Sequence, residues 1–327
     1  MDTGVATRSL GHASIARMTR MVSVVIPVYN SSATLSELVA RVSSALDAYA
    51  KPYEILLVND GSADNSWSTI KELTSRYPKL RGIDLTRNFG QHNAVLAGVR
   101  AATGDVVVTL DDDLQHPPEA IPELLDAMVP GVDLVYGSPV HQRHGWWRDA
   151  ASVGSKRLMT VFGGWGDARV VTDFRAFRAA LRAGFASYQA PAVTFDALLA
   201  STTQSIVSVP VEHAPRRVGR SNYGLPRLMS YAATMATGYS VRPLRLIALF
   251  GAILSIGGVV GLSAVLVVDA ATHHREIALG LVVALMVLFG GLQLFAIGVV
   301  GEYVGRGHLQ MLAKPTYLVR TEVRGIE

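Results

Sequence analysis

The chain has 327 residues, half of them apolar, with a formal charge of +4 and no cysteine. That length holds one sizeable α/β core with residues to spare. The missing cysteines exclude disulfides, thiolate nucleophiles, zinc–thiolate sites and iron–sulfur clusters. The small positive charge comes without a basic stripe interleaved with aromatics, so nucleic acid is not an expected partner.

In chain order, residues 1–20 carry Arg8, Arg17 and Arg20 but no apolar stretch. They read as a flexible leader rather than a signal peptide, with Met18 and Met21 as candidate natural starts. Val22–Val28 is a continuous apolar run, the pattern of a strand buried on both faces. Ala33–Ala48 places Leu35, Leu38, Val39, Val42 and Leu46 on one helical face. Tyr53–Val58 is a second buried strand, ended by Asn59-Asp60-Gly61-Ser62, where Ser62 is expected to cap the next helix. Leu80–Leu85 is a short third strand and Gln91–Ala102 a helix. Asp105–Leu110 is a fourth strand, running directly into Asp111-Asp112-Asp113, and Val132–Tyr136 is a fifth. Strand alternating with helix predicts a doubly wound parallel sheet. In such sheets ligands sit beyond the carboxyl ends of the strands. The clusters Tyr29-Asn30, Asn59-Asp60-Gly61, Thr86-Arg87-Asn88 and Asp111-Asp112-Asp113 fall at those ends and are expected to converge.

The second half changes character. Leu246–Val268 and Ile277–Gly301 are free of charged residues and long enough to cross about 30 Å of hydrocarbon. Asp269–Glu276 is the polar loop between them. Arg242 and Arg245 flank one end of the pair, and Arg306, Lys314, Arg320 and Arg324 the other, so the positive-inside rule puts both flanks and the globular domain in the cytosol. Leu225–Tyr239 is read either as an interfacial helix or as an ordinary helix packed on the domain. Gly257 and Gly261 have the spacing for close helix approach, which permits a homo-oligomer. The expected organisation is therefore a leader over 1–20, a catalytic domain over 21–224, a juxtamembrane helix over 225–243, two transmembrane helices over 244–303 and a cytosolic tail over 304–327. Such a protein is multi-pass in the cytoplasmic membrane with both termini cytosolic.

Among the chemistry-bearing residues the acidic run is foremost. Asp111 and Asp113 offer hard oxygens suited to Mg²⁺ or Mn²⁺, and Gln115 adds a neutral oxygen. Adjacent carboxylates repel unless a cation lies near; Asp112 has no assigned partner and is read as facing solvent. Asp60 can accept hydrogen bonds from a base or ribose, and Gly61 permits close backbone approach. Arg87 opens a helix whose N-terminus suits an anion. His92 and His116 read as structural. Arg148 and Ser152 lie four apart, with Arg143 and Lys156 nearby, and Arg216, Arg217 and Arg220 form a second basic group. Two basic groups suit a reaction in which two phosphates meet; each is otherwise a solvated surface.

These runs resemble a known family. Val24-Val25-Ile26-Pro27-Val28-Tyr29-Asn30, Asn59-Asp60-Gly61-Ser62, Arg87-Asn88-Phe89-Gly90-Gln91-His92 and Asp111-Asp112-Asp113-Leu114-Gln115-His116-Pro117-Pro118-Glu119 are similar to the inverting family 2 glycosyltransferases of GT-A fold. Within these the chain looks like the polyprenyl-phosphate glycosyltransferases: dolichyl-phosphate mannose synthases, bactoprenol glucosyltransferases and undecaprenyl-phosphate aminoarabinose-type transferases. The resemblance runs from about Val22 to about Arg320 and includes Gly301-Glu302-Tyr303-Val304-Gly305-Arg306 and Lys314-Pro315-Thr316-Tyr317. It implies a Rossmann-like, mainly parallel GT-A domain followed by two transmembrane helices. It implies that Asp111, Asp113 and Gln115 bind the metal, and that Pro27, Tyr29, Asn30 and Asp60 line the nucleotide pocket. It implies that Arg216 contacts the donor diphosphate and that Arg148 and Ser152 hold the lipid phosphate. The chain departs from the pattern at Ser31, where a glutamate is usual, at Asp112, usually alanine, and at Asn222, usually lysine.

The implied reaction moves a sugar from a nucleotide sugar, UDP-linked or alternatively GDP-linked, to a polyprenyl phosphate for cell-envelope glycan assembly. A phosphate monoester has a second pKa of about 6 and is mostly a dianion at neutral pH, so it can attack the sugar C1 without a general base. Two other readings share these residues. A polysaccharide-elongating synthase usually carries Gln-x-x-Arg-Trp, absent here, and needs more than two membrane helices for a channel. A non-catalytic membrane scaffold or lipid carrier would have no use for the complete aspartate–glutamine segment.

Overall fold

The computed structural model describes residues 21–139, 171–189, 194–212, 242–272, 275–312 and 314–325. Its first unit is built on an eight-stranded sheet. Strand β1 (Val22–Val28) is buried along its whole length. Its even-numbered residues Val22, Val24, Ile26 and Val28 enter one core and Val25 the other. A run apolar at every position is what a strand covered on both faces requires. Helix α1 (Leu35–Tyr49) follows, then β2 (Tyr53–Asn59), α2 (Ser66–Arg76), β3 (Leu80–Leu85), α3 (Gln91–Ala101) and β4 (Val106–Thr109). A 3₁₀ turn at Pro118–Ala120 leads into the short α4 (Ile121–Asp126). Beyond these lie β5 (Leu134–Pro139), β6 (Arg175–Arg178), α5 (Phe195–Thr202) and β7 (Ile206–Val211). Helices α6 (Arg242–Thr272) and α7 (Arg275–Met311) precede the last strand, β8 (Val319–Arg324).

The strand order is β7-β5-β6-β4-β1-β2-β3-β8. β1 runs parallel to both β2 and β4, β2 to β3, and β5 to β7. β6 is antiparallel to β4 and β5, and β8 is antiparallel to β3. The expected parallel sheet is thus a mainly parallel one with two reversed strands. Helices α1, α2 and α4 cover one face; α3 and α5 cover the other. Helix α3 packs so closely that a Cβ on Gly98 would stand 2.4 Å from Val25 Cγ1 and 2.9 Å from Val58 Cγ2.

One local expectation is corrected. Ser62 does not cap α2, which starts at Ser66 with Asn65 in the capping position. The Ser62 hydroxyl instead accepts the Asn30 N–H at 3.0 Å, and Asp64 accepts the Ser66 N–H at 2.9 Å. Residues 304–327, expected as a tail, divide: α7 continues to Met311, and 319–324 return as the edge strand β8.

Helices α6 and α7 form the core of the second compact unit. Leu244–Val267 and Leu288–Gly305 have mean hydropathies of 2.2 and 1.4, and both stretches are long and apolar enough to cross a membrane. Their aliphatic side chains face outward, among them Ile256, Val260, Leu294 and Ile297. Asp269–Glu276 was expected as the polar loop between the helices; of it, 269–272 are the last residues of α6 and 275–276 the first of α7. Phe289 packs against Gly258, whereas space is open around Gly257 and Gly261. The groove between the helices has a volume of about 360 Å³ and is lined chiefly by Leu246, Phe250, Leu254 and Phe289, with Ser255 and Gln293 as its polar members.

Candidate active site

The carboxyl ends of β1, β2, β3 and β4 lie side by side in the sheet, and each hands the chain to a polar loop. After β1 the side chain of Tyr29 is half exposed, and Asn30 takes a left-handed conformation, φ 54°, which asparagine tolerates better than most residues. Asn30 Oδ1 accepts the Ala63 N–H at 2.8 Å, tying the β1 loop to the β2 loop. Pro27 sits within β1, buried and paired in register with Val58.

Asp60 lies at the end of β2, almost fully buried. Its Oδ1 accepts the Phe89 N–H at 2.7 Å and its Oδ2 the Gly90 N–H at 2.9 Å. Burial pushes its carboxyl above the usual range, against the pull of those two bonds. Gly61 has φ +65°, and a Cβ there would meet the Arg87 and Asn88 backbone at 2.5 Å. The β2 and β3 loops are therefore packed backbone to backbone, which explains the Asp-Gly pair. Arg87 is exposed at the surface of this double loop, its guanidinium 4.3 Å from the Phe89 ring centroid.

The acidic run follows β4. Leu114 is buried in a left-handed conformation, φ 59°, a geometry that costs about 1–2 kcal/mol for a residue with a Cβ. It turns the chain sharply beneath the aspartates. Asp111 Oδ1 accepts the Gln91 side-chain amide at 2.7 Å. Asp113 accepts both the backbone N–H and the side-chain amide of Gln115, at 3.1 and 2.7 Å. Asp112, read as solvent-facing, instead holds the turn. Its carboxylate accepts the Tyr29 N–H at 3.1 Å and its carbonyl accepts the Thr34 hydroxyl at 2.9 Å. The Ser31 hydroxyl donates to the Tyr29 carbonyl at 3.1 Å, in the same turn.

Electrostatics single out Asp111. Burial, and then the Asp173, Asp113 and Asp112 carboxylates, hold its carboxyl well above the usual range; Arg175 opposes them. A cluster of like charges that cannot all ionise alone is a setting for a hard divalent cation. Asp111 and Asp113 supply carboxylates to this cluster, with the Gln115 amide donating to Asp113.

Sequence reasoning missed the floor of this site. Asp173 lies two residues before Arg175, the first residue of β6, which is paired in register with Thr109 of β4 and Tyr136 of β5. Arg175 is fully buried. It donates to Thr109 Oγ1 at 2.9 Å, to Asp173 at 3.1 Å, and to Asp196 in a short ion pair. Asp196 also accepts the Tyr136 hydroxyl at 3.3 Å. His92, Asp173 and Asp196 bring possible ligand atoms within 4.8 Å of one another, but the Arg175 guanidinium already supplies the cation between the two carboxylates. Burial lowers the His92 pKa, and its Nδ1 is enclosed without a hydrogen-bond partner. His116 stacks against Phe174 at 5.4 Å between ring centroids. The expected residues Arg148, Ser152 and Arg216 lie outside the described residues, as do Arg143, Lys156, Arg217, Arg220 and Asn222.

Comparison with known proteins bears on this arrangement. Residues 23–184 match the family model described as glycosyl transferase family 2. That segment runs from β1 through β6 and so contains every strand end described above. Residues 23–184 form a glycosyl transferase family 2 domain. Its mixed α/β, mostly parallel sheet is GT-A-like, and the activity class is glycosyl transfer. Among solved structures, glucosyl-3-phosphoglycerate synthase from Mycobacterium tuberculosis, in complex with Mn²⁺ and UDP-glucose, is 18% identical. It covers 72% of this chain and 83% of its own, with a TM-score of 0.47. The same enzyme with Mn²⁺, UDP and glucosyl-3-phosphoglycerate is 17% identical over 72% and 84%, with a TM-score of 0.46. A structure described as a mycobacterial protein is 17% identical over 72% and 78%, with a TM-score of 0.48.

Proposed function

We propose that this protein transfers a sugar from a nucleotide donor to a polyprenyl phosphate held in the membrane, with inversion at C1. The observation that carries the reading is the joining, in one chain, of a family 2 domain with its acidic run and two long, outward-facing apolar helices. A soluble acceptor gives such helices no work. The groove between them, apolar but for Ser255 and Gln293, has a lining suited to an isoprenoid chain.

In this reading Asp111 and Asp113, with Gln115, hold Mg²⁺ or Mn²⁺, consistent with the Mn²⁺ in the mycobacterial enzyme's complexes with UDP-glucose and UDP. When bound, the cation offsets the charge that develops on the departing nucleoside diphosphate. Asp60 and the loop it braces form the wall of the nucleotide pocket, together with Tyr29 and Asn30. Arg87 and Arg216 face the donor diphosphate; Arg148 and Ser152 hold the acceptor phosphate. The acceptor is already anionic near neutral pH, so the protein's task is to align two anions rather than to remove a proton. Attack from the face opposite the leaving group inverts the anomeric centre.

The test is a transfer assay with the full-length protein in detergent, undecaprenyl phosphate and Mg²⁺ or Mn²⁺, against UDP-, GDP- and dTDP-sugars. Asp113→Ala serves as the control. The expected result is one lipid-linked sugar of inverted configuration, lost in the variant. Transfer to 3-phosphoglycerate but not to the lipid overturns the acceptor assignment. Retained configuration overturns the single displacement. Absence of both metal and nucleotide binding makes the protein a non-catalytic scaffold.

A further inference from the structure

The last strand of the sheet comes from a part of the sequence remote from the rest, after both apolar helices. β8 pairs with β3 in a register that breaks between Asp84 and Leu85, where β3 gives way to the Thr86–Gly90 loop. Three contacts are made at that break. The Thr86 N–H donates to the Leu318 carbonyl at 2.9 Å. Arg320 Nη2 donates to the Thr86 carbonyl at 2.7 Å, and Arg320 Nη1 approaches Asp84 Oδ2 at 3.4 Å. Asp84 is buried, and its other oxygen accepts the Asn59 side-chain amide at 2.7 Å. Asn59 Oδ1 in turn accepts the Ser62 N–H at 3.3 Å, and Ser62 Oγ accepts the Asn30 N–H at 3.0 Å.

We infer that Arg320 is a positioning residue for the donor nucleotide: from the strand added last, it sets the three loops, after β1, β2 and β3, that form the nucleotide pocket. One branch acts on the β3 loop through the Thr86 carbonyl. The other acts on the β1 and β2 loops through Asp84, Asn59 and Ser62. The two branches meet again at Asp60, whose carboxylate holds Phe89 and Gly90. This inference rests on the reading of these loops as a nucleotide pocket.

Stability alone does not account for the geometry. The Arg320 side chain is 61% exposed, and an exposed ion pair contributes little to folding. Its value lies in direction: one planar guanidinium holds a carbonyl and a carboxylate at fixed separation. The same strand supplies an internal comparison. Glu322 accepts from Arg81 at 2.8 Å, an edge contact of similar kind that touches neither loop.

The experiment measures binding of UDP and of GDP, each with Mn²⁺, to the full-length protein in detergent by calorimetry, alongside thermal unfolding. Arg320→Ala is compared with Glu322→Gln. The expected result is that Arg320→Ala weakens binding of the nucleotide the wild type prefers by about three- to tenfold, as small misplacements of binding groups do, while Glu322→Gln leaves binding unchanged. Arg320→Lys, which reaches one acceptor at a time, is expected to fall between the two. Equal binding by Arg320→Ala and wild type overturns the inference. So does an equal loss in both variants that tracks their unfolding temperatures, since that marks a merely structural strand. Failure of the wild type to bind either nucleotide overturns the pocket itself, a result separable from the other two.

Discussion

Asp111 and Asp173 are brought together by antiparallel pairing of two strands that lie more than sixty residues apart. One terminates in the acidic run and the other begins just after Asp173. The charge they concentrate has a consequence in pH. A carboxyl held above its ordinary range binds a proton in the folded protein that the unfolded chain releases. Without metal, the folded state therefore loses stability as pH rises from the ordinary carboxylate range, near 4, through the raised value. A divalent cation needs the deprotonated form and reverses that loss. Thermal unfolding with Mn²⁺ and with EDTA, from about pH 5 to pH 8, is expected to show a gap between the two conditions that widens with pH. A gap independent of pH would show that Asp111 does not bind the ion. At this scale the acidic run was legible because three adjacent carboxylates after an apolar strand have few structural explanations. Asp173, Arg175 and Asp196 were not. An arginine inside a strand looks like a surface residue until its partners, separated by tens of residues, enclose it. Asp112, read as facing solvent, has partners that come from the distant β1 loop, the Tyr29 N–H and the Thr34 hydroxyl.

Helix α3 carries Gln91 and His92 at its start and is seated on β1 and β2 by Gly98. Replacing Gly98 with alanine forces a methyl group against Val25 and Val58, where a Cβ would stand at 2.4 and 2.9 Å. Overpacking of this kind costs about 1–3 kcal/mol. Denaturant unfolding of Gly98→Ala is expected to show a loss in that range, with Mn²⁺ affinity falling as well because the Gln91 contact to Asp111 shifts. An unchanged midpoint would mean that α3 is free to move outward. Elements with a one-sided or continuous apolar pattern, such as β1, β2 and α1, were readable from spacing alone. β8 was not: Val-Arg-Thr-Glu-Val-Arg is mostly exposed at a sheet edge, and charge on an edge strand guards against unwanted pairing. The start of α2 was misplaced because Ser62, a good cap by type, is already engaged by Asn30. Capping preference is local, and the competing donor came from another loop.

The whole molecule joins two chemistries, a cluster of carboxylates at the ends of buried strands and a pair of helices with aliphatic surfaces. Both helices are long and apolar enough to cross a bilayer. The protein is expected to sediment with membranes and to resist extraction by high salt and alkaline carbonate, while detergent releases it. Release by salt or carbonate would demote α6 and α7 to packing elements and remove the main support for a lipid acceptor. The organisation into domain and helices was visible in the uneven distribution of charge along the sequence.

The contact between Arg81 and Glu322 spans 241 residues of chain. A ribosome makes β3 early and β8 only after both apolar helices have been synthesised. Until then the outer edge of β3 has no partner strand, and the Thr86 carbonyl and Asp84 lack their contacts to Arg320. The sheet is therefore completed only after both apolar helices have been made. A chain cut before Val319 keeps every aspartate of the acidic run and lacks the strand at that edge of its sheet.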